Sequence, residues 1–116
     1  MCFFKKRKNE REQLINNKHN IEDMVAQLDV LLSLARDNQE LVGILNEAKE
    51  KIKYFNPTIN KDALDIDKKI NNRIGYLKIE INKAKSSEDY SKPIASALDL
   101  RDSLVAERNA KSIRRK

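Results

Sequence analysis

Cysteine, tryptophan, glycine and proline are scarce in this chain of 116 residues: one Cys, no Trp, two Gly and two Pro. A single Cys forms no internal disulfide, so a stapled fold is excluded and a reducing cytoplasm is the expected compartment. So few turn formers speak against β-hairpins, and no stretch alternates apolar and polar residues as a half-buried strand does. Nor is there an unbroken apolar run of the roughly 20 residues that a membrane span needs. The apolar start Met1-Cys2-Phe3-Phe4 is too short for a signal-peptide core, and its cations follow instead of preceding. Cys2 lies beside two Phe and a basic run, a setting suited to S-acylation more than to nucleophilic catalysis.

Sites of chemistry are equally sparse. His19 is the one imidazole, and Glu22 and Asp23 follow it without the second His or thiolate of a zinc or di-iron centre. Asp62, Asp65 and Asp67 lack the Gly turn and closing Glu of a calcium loop, so they are expected to serve a helix start and solubility. Gly43 and Gly75 both fall inside predicted helices, which leaves no phosphate-cradling loop. No catalytic, cofactor-binding or metal-binding set is predicted, and the chain reads as non-enzymatic.

What the sequence has in abundance is charge, unevenly placed. The net charge is +6 from 24 basic and 18 acidic side chains. Lys5, Lys6, Arg7 and Lys8 at one end, with Lys111, Arg114, Arg115 and Lys116 at the other, account for eight cations and no acid. Residues 9–110 therefore hold 16 cations against 18 acids and are nearly neutral. Three parts follow: a basic and aromatic N-terminal arm over 1–8, one helical domain over 9–110 and a basic tail over 111–116.

Within the body, apolar residues recur at steps of three and four, the period of a helix with one buried face. The spacing predicts an all-α fold, an antiparallel up-down bundle of four helices. The first spans about Arg11 to Arg36, continuous or bent near Asn17–Asn20, where Asn20 could instead cap a second start. Asp37-Asn38-Gln39-Glu40 matches a capping box with Asp37 as the cap, opening a helix from about Asn38 to Phe55. Asn56-Pro57 ends it. The third helix begins near Asn60, with Leu64, Tyr76 and Ile79 widening its apolar face. The fourth runs from about Lys92 to Ser112 with Pro93 in its first turn.

Function is expected to lie at surfaces. Phe3 and Phe4 followed by Lys5, Lys6, Arg7 and Lys8 suit an anionic membrane, since each juxtamembrane cation adds about 1 kcal/mol. The expectation is an interaction protein that binds a protein partner and docks peripherally on the inner membrane face. The alternative is non-specific nucleic-acid binding, with Arg108, Lys111, Arg114, Arg115 and Lys116 on phosphates. Leu14 and Ile15 extend the first apolar stripe beyond the bundle and are the expected contact of a homodimer. Whether the two basic ends make one electrostatic field or two depends on their stagger along the bundle.

Overall fold

The computed structural model describes residues 2–113, and side chains over residues 9–112. Among them there is no strand, and the fold is the all-α up-down bundle that the periodicity predicts. Its helices are α1 (Cys2–Leu34), α2 (Gln39–Lys53), α3 (Lys61–Ser87) and a fourth rod built from α4 (Ser91–Asp99), a π turn (Leu100–Leu104) and α5 (Val105–Ile113).

No Pro or Gly interrupts α1, and it runs straight through Asn16–Asn20, which excludes the separate leading helix. Asparagine costs a helix only several tenths of a kcal/mol per residue, about what one hydrogen bond returns. Two of these asparagines are bonded across the bundle: Asn17 to α3, and Asn20, whose Oδ1 accepts from Asn71 Nδ2 at 3.2 Å. Asn20 is therefore an inter-helix contact, not a cap.

The α1–α2 turn also differs in detail from expectation. Asn38, not Asp37, caps α2; its backbone is extended and its Oδ1 accepts from Leu41 N at 2.9 Å. Asn60 caps α3 as predicted, accepting from Ala63 N at 3.1 Å. Glu88 ends α3 in the left-handed conformation, and Asp89 Oδ1 then takes both the N–H and the hydroxyl of Ser91 to start α4. Those two bonds hold the exposed Asp89 carboxyl below its ordinary range.

The rods alternate in direction, yet they do not surround the core in chain order. Lys49–Asp29 marks α1 and α2 as antiparallel neighbours, as Arg73–Asp99 and Asp67–Arg108 mark α3 and the fourth rod. Asn17–Asp67 and Asn20–Asn71 advance together, so α1 and α3 lie side by side and parallel. Glu47–Arg101 and Asn56–Arg108 do the same for α2 and the fourth rod. α2 and α3 make no close approach to each other; they stand on a diagonal, and residues 54–60 cross one end of the bundle to join them.

The seams meet in one core. Met24, Leu28, Leu41, Leu45, Ile52, Ile70, Leu77, Ile81 and Leu100 are fully enclosed. Tyr76 and Ile79, expected to broaden the buried face of α3, are instead 64% and 54% exposed. The neighbours of α3 are α1 and the fourth rod, and neither covers that side of it. A Cβ would meet nothing within 4 Å at Gly75 or Gly43, so neither glycine serves a close helix crossing.

Unequal lengths give the molecule its outline of 60 × 23 × 18 Å. Asn17 lies level with the crossover, through its bond to Thr58. Residues 2–16 of α1 continue past that level for roughly 22 Å. From residue 9 to residue 16 every side chain is exposed except the half-buried Glu10.

Candidate functional site

Among the described residues, the one concentrated polar arrangement inside the bundle sits under the crossover. Arg108 is 0% exposed, Asp67 1% and Asn17 4%, three side chains from three different rods. Arg108 Nε donates to Asp67 Oδ1 at 2.6 Å, and its Nη2 donates to Asn17 Oδ1 at 3.1 Å and to the Asn56 carbonyl at 3.0 Å. Asn17 Nδ2 donates to the second carboxylate oxygen at 2.8 Å, while Asn17 Oδ1 also accepts from Thr58 N at 3.0 Å. That pattern fixes the Asn17 amide, because the reverse orientation would set its NH₂ against two donors and its oxygen against a carboxylate. The Phe55 ring, centred 4.8 Å from the guanidinium carbon, offers its π face to the cation. Arg108 Nη1 is buried and has no hydrogen-bond partner among the described residues.

Local sequence puts these groups there. Asn17 precedes Ile21 and Met24 at helical steps, and Asp67 falls on the seam of Ala63, Ile70 and Ile74. On the fourth rod, Leu100, Leu104 and Arg108 are spaced by two successive steps of four. In an unbroken α-helix that spacing would swing the face forward by roughly 80°. The π turn adds one residue to the turn and absorbs the drift, so Arg108 stays under Leu100 and Val105 turns inward as well.

This buried ion pair is closed to solvent, and its hydrogen bonds run to groups within the chain. What it does is tie α1, α3, α5 and the crossover loop at one level. Replacing one partner of such a pair leaves an uncompensated charge, so the arrangement penalises any packing that separates them.

Two sequence expectations are corrected by this geometry. Arg108 was expected among the phosphate contacts, but it is enclosed and committed to Asp67, with no surface left for a ligand. Asp67 was expected to serve solubility, whereas Asp62 and Asp65 are exposed and Asp67 is a core residue. The useful signal was a polar residue standing in step with an apolar seam on each of three helices.

The other predicted residues lie at the surface or beyond description. Leu14 is 39% and Ile15 49% exposed on α1, within the stretch from residue 9 to residue 16 where only Glu10 is half-buried. The backbone of Phe3, Phe4, Lys5, Lys6, Arg7 and Lys8 belongs to α1, and their side chains lie outside the described residues. Arg114, Arg115 and Lys116 lie outside them entirely, while Lys111 is half-buried near the end of α5. By helical rise, Lys5–Lys8 stand roughly 11 Å beyond Lys111 along the bundle. That exceeds the screening length of about 8 Å at physiological salt for Lys111; the other three cations of the C-terminal segment lie outside the described residues.

His19 is exposed, with Nδ1 3.4 Å from Glu22 Oε1. Among the described residues no group of three His, Cys, Asp or Glu side chains could hold a metal ion, and no helix is long and apolar enough to cross a membrane. Arg101 donates to Asp102 and Glu47 at 2.6–2.8 Å; these bonds, to Asp102 first, raise its pKa further above the ordinary arginine value. Solvent screens such exposed pairs, and they add little to stability. No protein-family model, curated protein or solved structure matches the chain.

Proposed function

We propose that the chain is a non-enzymatic interaction protein, which binds a partner protein through its bundle and docks on an anionic membrane surface through Phe3–Lys8. The observation that carries this is the segregation of charge: a nearly neutral body, with four successive cations near the start of a helix that runs on past the bundle. A helix that outruns its neighbours holds its end clear of the folded body, where a flat surface can reach it. Four cations near anionic lipid contribute about 4 kcal/mol, and inserting two Phe side chains adds about 1.5–3 kcal/mol each. Before immobilisation costs, the sum falls near the free energy of micromolar binding, about 8 kcal/mol. On this reading the protein works in the cytoplasm at the inner membrane face. Phosphate binding by the C-terminal basic residues is less favoured, because the enclosed Arg108 drops out of that set.

Co-sedimentation with vesicles of increasing anionic lipid content tests the docking. The full chain is expected to pellet in proportion to anionic content, and a chain lacking residues 1–8 to stay in the supernatant. Equal pelleting of the two would remove the docking reading.

A further inference from the structure

The outward side of α3 carries a stripe that the bundle leaves uncovered. Lys68, Asn72, Gly75, Ile79, Asn82 and Ser86 follow one another at alternating steps of four and three residues, and all six are exposed. That spacing gives a helix a continuous edge to set against another helix. Lys68, at one end, is the only charge in the stripe, although charged residues make up 36% of the chain. Depletion of charge is what distinguishes the core of a protein interface from ordinary surface.

The stripe is uneven in relief. Ile79 projects from it, more than half exposed. One turn earlier, Gly75 opens a notch of about 190 Å³ against α1, walled by Gln27, Val30 and Lys78. Among the described residues, nothing beyond the local helix backbone comes within 4 Å of a Cβ built at Gly75. Glycine weakens a helix interior relative to alanine, and no packing inside the bundle offsets that.

We infer that this stripe pairs with itself, joining two copies of the chain through an antiparallel α3–α3 contact about a twofold axis at the level of Leu77. The order of the residues identifies the occupant. Turned end for end about Leu77, the stripe sets Gly75 of one copy opposite Ile79 of the other, Asn72 opposite Asn82, and Lys68 opposite Ser86. Each Ile79 then enters the notch of the other copy beside Val30, and the facing amides of Asn72 and Asn82 both donate and accept. A twofold contact needs a surface complementary to itself in just this way. One step further, Asp65 faces Asp89 beyond the end of α3, so the contact spans residues 68–86, roughly 28 Å.

Its flanks oppose it. Lys69 faces Lys83 across the contact, and Lys78 faces its own copy. So short a contact with like charges at its edges belongs to the small, transient class, and the dilute chain is a monomer. Salt screens those lysines and therefore strengthens the pairing, whereas it weakens an acidic partner or a nucleic acid on the same face. This self-association goes beyond the proposed function and requires neither a membrane nor a foreign protein.

A dilution series of the isotope-labelled full chain, up to about 1 mM, tests the pairing. Amide shifts along residues 68–86 and beside Val30 are expected to grow with concentration, and to grow further at higher salt. Gly75→Lys puts a cation into the notch but meets only open space in the single chain. It should raise the dissociation constant at least about tenfold without lowering the unfolding temperature. Orientation is read by oxidation in a Cys2→Ser background: Gly75→Cys and Ile79→Cys chains should form a disulfide-linked dimer when mixed, and neither should do so alone. The inference is overturned by shifts that do not depend on concentration, or that centre on Leu14 and Ile15. Pairing that weakens with salt, that survives Gly75→Lys, or that links Ile79→Cys to itself as readily as in the mixture also overturns it. The vesicle measurement judges membrane docking independently of all these outcomes.

Discussion

Arg108→Ala is expected to lower the folding stability by about 3–5 kcal/mol, a large fraction of the roughly 5–15 kcal/mol that holds a domain together. The loss comes less from the bonds removed than from what remains. Asp67, 1% exposed, would keep a charge with no cation beside it, and the Asn56 carbonyl and Asn17 amide would lose a donor. Urea denaturation with an unchanged slope reads the effect directly. A loss below about 1 kcal/mol would mean that water reaches the Asp67 carboxylate and the layer is not closed. The double substitution Asp67→Leu/Arg108→Met should be less damaging than Arg108→Ala, because it removes both charges and fills the space.

Leu77→Ala should cost about 2–5 kcal/mol, whereas Ile79→Ala, two residues along the same helix, should stay within about 0.5 kcal/mol of wild type. Leu77 is fully enclosed and its truncation leaves a cavity; Ile79 is 54% exposed and borders an open groove. In a domain of this size 1 kcal/mol moves the unfolding midpoint by roughly 4–8 °C, so thermal unfolding separates the two. The reverse ranking would mean that α3 is rotated from the orientation described.

The face of α3 shows how far the sequence could be read. Ala63, Ile66, Ile70, Ile74, Leu77, Ile81 and Ala84 were all legible as a buried seam from spacing alone, and all are buried. Spacing says which residues turn inward, not which helix they meet. Four apolar seams fit either a ring in chain order or one with α2 and α3 on a diagonal, so the neighbours of α3 could not be foreseen. The caps were partly legible: Asn60 was right, while Asp37 and Asn38 are both good capping residues and only the turn geometry selects Asn38.

The polar layer was not read, for a different reason. Asn, Asp and Arg belong at the surface by default, and a polar residue on a seam costs energy unless its partners are in place. Those partners lie 41 to 91 residues apart in the chain, on helices whose mutual placement periodicity leaves open. The π turn was equally hidden. It is a response to packing, since it keeps Arg108 in line with Leu100 over a spacing that a regular helix would carry off the core.

Hydrogen exchange of the full chain, with and without vesicles rich in anionic lipid, bears most directly on the division between a folded bundle that stays off the membrane and an adhesive end. Amides of residues 2–8 should exchange fast in solution and slow markedly on vesicles, while those flanking Asn17, Asp67 and Arg108 stay protected and unchanged. Unaltered exchange at residues 2–8, or deprotection around the buried ion pair when lipid is added, would contradict that division.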